Sequence, residues 1–152
     1  MKLRYISKTN KKQLMKRKFY VDTCIYLNLW KKEKLFWEKA LSFFEKREEH
    51  DEKISYSKLI IKELKYILSE KEFEHKRNLF RENRFEEIKL ITEDIINARK
   101  IETEIKYELS FYDILHMLLA RKSQSILITR DRKLIKIARK YNIKTKRPEE
   151  IL

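Results

Sequence analysis

Apolar and polar positions along this chain switch between two repeats. Short unbroken apolar runs occur as "KFYV" at 18–21 and "SILIT" at 125–129, the mark of strands buried on both faces. "KISYS" (53–57) reads as a short strand or extended turn, "EIKLIT" (87–92) as a strand and "IKTKR" (143–147) as an edge strand. Between them apolar residues return at helical spacing. Helices are predicted over "TCIYLNLW" (23–30), 33–50, "KLIIKELKYILSE" (58–70), 72–83, 93–105 with Thr92 as cap, 110–122 and 132–142. The helix "SFYDILHMLLARK" is apolar almost all round, which predicts burial. Strands alternating with helices imply an α/β fold with a mostly parallel sheet covered on both faces. In such sheets ligands collect beyond the carboxyl ends of the strands.

Four acids break this pattern. Asp22 follows "FYV" directly, and Asp131 follows "SILIT" after a single residue. Glu63 lies inside an apolar arc made by Leu59, Ile60, Leu64 and Ile67. Asp113 precedes "ILHMLLA", in which only His116 is polar. Each has a plain structural reading. Asp22 and Asp131 are placed to cap the helices that follow them. Ser110 and Asp113 fit an S-x-x-D capping box, and Glu63 could pair with a lysine. Together they suggest more, because a parallel sheet brings two strand-end acids and two core-facing helix acids to one rim. Carboxylates at close range repel one another unless a cation offsets them. An all-oxygen set without a His or Cys group selects Mg²⁺ or Mn²⁺. Such a site suits in-line displacement at phosphorus.

Charge points the same way. The 152-residue chain, the size of one domain, carries a net charge of +14. Residues 2–18, "KLRYISKTNKKQLMKRK", hold eight Lys or Arg and no acid. More than half of the excess thus sits at one end, and a basic leader over 1–17 is expected ahead of a domain over 18–152. A polyanion is the expected partner, nucleic acid first among them, with a solubilising tail as the plainer reading. The chain has no Gly, so glycine-dependent phosphate loops are excluded and turns must use Asn, Asp, Ser and Lys. Its one cysteine, Cys24, excludes an internal disulfide and a Cys-rich zinc site and fits the cytoplasm. No apolar stretch is long enough to span a membrane, so neither export nor insertion is expected.

Other residues divide between site and scaffold. His116 reads as a core histidine with a satisfied hydrogen bond rather than a ligand. Cys24 reads as a small buried hydrophobe, since no base accompanies it. Arg130 is equally a phosphate contact and a surface charge. Trp30, Phe36, Trp37, Phe43 and Phe44 crowd the first helices as core, or as a patch for a partner chain.

The stretches "FYVDTCIYL", "SKLIIKEL", "ELSFYDILHMLLA" and "SILITRDRKLIKIARKYNIKTKRPEEIL" resemble the PIN-domain nucleases, and within them the VapC-type toxins of toxin–antitoxin pairs. The resemblance covers roughly 18–152. It implies a three-layer sandwich with a central sheet of about five strands. It also implies an Mg²⁺- or Mn²⁺-dependent endoribonuclease whose metal-binding and catalytic acids are Asp22, Glu63, Asp113 and Asp131. Thr23, Thr129 and Arg130 would stand at the site's edge. By the same resemblance the partners are RNA, a cognate antitoxin and a second copy of the chain. Cys24 stands where the family often has Asn, and the basic leader has no counterpart there. A housekeeping RNA-processing nuclease, a non-catalytic RNA-binding module and a DNA nuclease are the alternatives.

Overall fold

A computed structural model of the protein describes residues 16–151. Most of the basic leader therefore lies outside the described residues. Five strands form one sheet: β1 (Lys18–Val21), β2 (Lys53–Tyr56), β3 (Phe85–Glu87), β4 (Ile126–Ile128) and β5 (Thr145–Lys146). Seven α-helices connect them among the described residues. They are α1 (Thr23–Trp30), α2 (Trp37–Glu49), α3 (Lys58–Ile67), α4 (Glu70–Lys76), α5 (Thr92–Glu104), α6 (Phe111–Lys122) and α7 (Arg132–Lys140). The PIN-like layering expected from the sequence is the one observed, and the sheet is parallel throughout.

The strand order is β3-β2-β1-β4-β5. The chain winds outward from β1 through β2 to β3, then returns to pair β4 with the free side of β1. The direction of winding reverses between β1 and β4. A crevice opens at such a reversal because the two following connections depart to opposite sides. Its position follows from register: Val21, the last residue of β1, sits opposite Ile128, the last of β4.

The central strand explains why the sheet holds. Phe19, Tyr20 and Val21 are wholly buried, as are Leu127 and Ile128 beside them. Each such side chain contributes about 1.5–3 kcal/mol when removed from water. Residues 114–120 of α6 are all buried, as the apolar run predicts. Arg47 is also wholly buried, with its guanidinium 4.9 Å from the Phe19 ring centre and its Nε 2.9 Å from Glu52.

Several boundaries differ from the sequence expectations. The third strand is Phe85–Glu87, not 87–92: Phe85 is buried, while Ile88 and Leu90 lie beyond the strand's end and pack only partly buried against the core. The predicted helix over 72–83 is α4 followed by a 3₁₀ turn, Arg77–Arg81. α3 ends at Ile67, since Ser69 caps α4 instead of extending α3. Thr92 is the first residue of α5 rather than its cap. The amide of Ile91 is held at 2.9 Å by the Asp94 carboxylate.

The lack of glycine has a visible consequence. Helices α1, α2, α5, α6 and α7 are each followed by a left-handed residue two positions past the end: Lys32, Asp51, Lys106, Gln124 and Asn142. That position normally takes glycine, because a Cβ crowds the following carbonyl there.

Candidate active site

The four sequence-predicted acids are distributed around the crevice. Asp22 ends β1 and caps α1, accepting from the Thr23 amide at 2.8 Å. It is buried. Its other oxygen accepts from the Thr129 hydroxyl at 2.7 Å, so the carboxylate is held from both sides of the sheet reversal. Asp131 caps α7 in the same way, accepting from the amides of Lys133 at 3.0 Å and Leu134 at 3.2 Å. Its own amide donates to the Thr129 hydroxyl at 3.2 Å. Thr129 thereby ties the two strand-end acids together. The capping readings and the site readings of Asp22 and Asp131 are therefore compatible.

Asp113 stands on the first turn of α6, where Ser110 caps the helix by accepting from the Asp113 amide at 3.1 Å. Burial, and after it the negative charge of Asp22, raise its carboxyl above the ordinary carboxylate range; Asp131 adds to the effect, while Ser110 and His116 act against it. Asp113 thus feels the charge of two acids that belong to other elements.

Glu63 is held differently. It accepts from the Thr23 hydroxyl at 3.2 Å and from His116 Nε2 in a short contact. His116 is wholly buried, and its Nδ1 lies 2.7 Å from the Tyr20 hydroxyl, which in turn meets Ser57 at 2.7 Å. A connected chain, Ser57–Tyr20–His116–Glu63–Thr23, runs from the core to the crevice. Burial works against a charged imidazole, but the hydrogen bond to Glu63 and the charges of Asp22, Glu63 and Asp113 outweigh it and raise the His116 pKa. The satisfied core histidine foreseen from the sequence is present, and its partner is Glu63, one of the four sequence-predicted acids. Tyr20 and Ser57 were not foreseen. The available signal was strand alternation, which places Tyr20 on the same face as Asp22.

Cys24 is part of the same network. Its thiol lies 3.6 Å from Asp22 Oδ2 and 3.9 Å from the Thr129 hydroxyl. Burial, then the Asp22 charge, push its pKa up to about 12. A thiol held protonated is a weak donor to Asp22, not a nucleophile. Arg130 is already engaged. Its Nε donates to Asn28 at 3.1 Å, both terminal nitrogens reach Glu149, and its guanidinium lies 4.2 Å from the Phe36 ring centre. A groove of about 660 Å³ adjoins Glu63, lined also by Lys62, Lys65, Tyr66, Ile67 and Tyr112.

A divalent cation suits the chemistry of this rim. The donors are carboxylate oxygens, and Asp113 lies within reach of the negative charge of Asp22 and Asp131. As they stand, no three His, Cys, Asp or Glu side chains among the described residues are close enough to form a metal cluster.

A parallel sheet with Asp22 and Asp131 tied through Thr129 at its winding reversal marks an α/β protein of the open, wound kind. The chain belongs to the PIN domain family, whose pattern it matches over residues 19–140. PIN domains are generally nucleases. No curated protein matches the chain. Among solved structures it is similar to VapBC2 from Rickettsia felis bound to a promoter DNA fragment. That match has a TM-score of 0.64 at 18% identity and covers 86% of this chain and 98% of the other. It is also similar to FitAcB from Neisseria gonorrhoeae, with a TM-score of 0.59 at 13% identity, covering 86% and 97%. A toxin–antitoxin complex from Klebsiella pneumoniae gives 0.57 at 21% identity, covering 76% and 88%. At these identities the likeness is one of fold.

Proposed function

We propose that this protein is an Mg²⁺- or Mn²⁺-dependent endoribonuclease, the toxin of a toxin–antitoxin pair. The observation that carries the reading is the Thr129 hydroxyl tying Asp22 to Asp131 at the sheet reversal, with Asp113 near enough to feel the charge of both. His116 offsets part of the charge around Asp113. A divalent ion there offsets that charge and supplies positive charge against the phosphodiester oxygens during displacement.

The protein's own residues do the positioning. Thr129 and the α1 amide orient Asp22, and the α7 amides orient Asp131. His116 and Thr23 hold Glu63 facing the crevice. The net charge of +14 favours a polyanionic substrate. The antitoxin partner is supported by the likeness to chains solved within toxin–antitoxin assemblies. A homodimer is supported by exposed Tyr66, Ile67, Ile95 and Ile96, large apolar groups that a second copy would cover. A cytoplasmic location is supported by the single free Cys24 and by the lack, among the described residues, of any helix long and apolar enough to cross a membrane.

The test is a Mn²⁺ titration of parent and Asp113→Asn protein by calorimetry, with labelled RNA cleavage in parallel. Binding and cutting by the parent, both lost in the variant, support the reading. Cutting retained by the variant, or by the parent in chelator, overturns it.

A further inference from the structure

The basic charge is not confined to the leader. Residues 121–147 contain eleven Lys or Arg and a single acid, Asp131, a net of +10. Folding turns this segment into a surface. On α7, Leu134, Ile135, Ile137 and Ala138 are buried. Every exposed position of that helix is basic: Arg132, Lys133, Lys136, Arg139 and Lys140. Arg132, Lys136 and Lys140 recur four residues apart, about 6 Å per step along one face. A shallow concavity of about 480 Å³ lies along the helix, and five of its six lining residues are Arg132, Lys136, Arg139, Lys140 and Arg147. Exposed Lys144 and Lys146 continue the charge onto the β5 edge, where Arg139 donates to the Thr145 carbonyl at 3.1 Å.

Among the described residues, no ion pair engages Arg132, Lys133, Lys136, Lys140, Lys144 or Lys146. The nearest pairing is Arg147 with Glu150 at 3.9 Å. Unpaired like charges on one helix face repel, so they weaken the free protein unless a ligand offsets them. Asp131 caps the helix, so the tract starts beside one of the crevice acids and leads away from it.

We propose that the outward face of α7, continued by Lys144 and Lys146, is a phosphate tract that holds single-stranded RNA running out of the acidic crevice. The inference rests on the ribonuclease reading for the identity of the polyanion. A folded protein partner fits the surface less well. Protein interfaces centre on apolar or aromatic anchors, and the one apolar residue in the concavity, Ile135, is buried. A tract of cations alone recognises a regular anionic backbone without reading its bases. It would give the site affinity and direction while leaving sequence choice to the crevice.

The test is fluorescence anisotropy of a labelled single-stranded oligoribonucleotide with the full chain, in chelator so that no cutting occurs, across a KCl series. Parent is compared with Lys136→Gln/Lys140→Gln/Lys144→Gln and with a control, Lys34→Gln/Lys71→Gln/Lys100→Gln, that removes the same charge from exposed positions elsewhere. Each lost phosphate contact lowers the slope of log affinity against log salt by about 0.7 for a single strand, so the tract variant should lose about 2. Its binding at 0.1 M KCl should weaken by roughly tenfold or more, with the control near the parent. The leader is common to all three proteins and cancels. Equal loss in both variants, or loss in neither, overturns the tract. An unchanged RNA slope with lost binding to polyglutamate overturns it in favour of an acidic protein partner. RNA cleavage by the parent in Mn²⁺ is scored separately. A protein that cuts while the slopes stay equal refutes the tract alone, and one that never cuts but shows the slope difference refutes the nuclease alone.

Discussion

The Thr129 hydroxyl donates to the Asp22 carboxylate at 2.7 Å, joining residues 107 positions apart in the chain. The same oxygen accepts from the Asp131 amide. One side chain thus sets the spacing of two acids that belong to different strands. Thr129→Val keeps the shape and removes both bonds. Loss of a group that orients metal-binding carboxylates typically costs about 10–100-fold in metal affinity or activity. We expect that loss in Mn²⁺ affinity and RNA cleavage, with Thr129→Ser close to the parent. A valine variant as active as the parent would show that Thr129 only packs.

Asp113 carries a stability penalty whose sign is fixed by its raised pKa. The native state binds a proton more tightly than the unfolded chain. Stability from this group is therefore greatest below the ordinary carboxylate value and falls as pH rises through the raised one. Asp113→Asn removes the penalty, so at neutral pH in chelator its Tm should exceed the parent's. Each kcal/mol is worth about 3 °C in a chain of this size. Near pH 3 the two should converge. Added Mn²⁺ should raise the parent's Tm and leave the variant's unchanged. Calorimetric scans across pH decide it.

Tyr20 reaches Glu63 at second hand, through His116. Tyr20→Phe removes a buried hydroxyl bonded to both Ser57 and His116. Leaving those partners unsatisfied costs about 1–3 kcal/mol, read from denaturant unfolding. His116→Gln should be less stable at low pH than at high pH relative to the parent. The imidazole's raised pKa stabilises the fold fully below about 6.5, and that contribution is lost as pH rises through the folded value. Tyr20→Phe loosens the imidazole that holds Glu63 and His116→Gln removes it, leaving Thr23 as the recorded partner of Glu63, so both should weaken Mn²⁺ binding. Unaltered binding in both would show that the buried chain serves folding alone.

Gln124 ends α6 in the left-handed region with φ of 56°. It is exposed and remote from the four acids in the sheet order, since β4 has yet to begin. Gln124→Gly should stabilise the protein by up to about 1 kcal/mol, because the Cβ penalty of about 1–2 kcal/mol is partly offset by the glycine's greater freedom when unfolded. Urea midpoints measure this directly.

Much of this protein could be read from its residues in order. The buried strands 18–21 and 125–129, the all-apolar α6 and the acids at two strand ends are local patterns, and local patterns survive folding when burial enforces them. The weak third strand slipped because "EIKLIT" has strand-forming side chains, whereas the sheet pairs Phe85–Glu87 and leaves Ile88 and Leu90 to pack against the core beyond it. The family motifs brought the four acids into one list. Only the tertiary structure divided them. It linked Asp22, Asp113 and Asp131 through shared charge and gave Glu63 to His116. It also engaged Arg130 with Asn28 and Glu149, and it gathered scattered lysines onto one helix face. The physical reason is range. Strand and helix periods act over a few residues, while hydrogen bonds and charge repulsion act between whatever groups the strand order β3-β2-β1-β4-β5 makes neighbours.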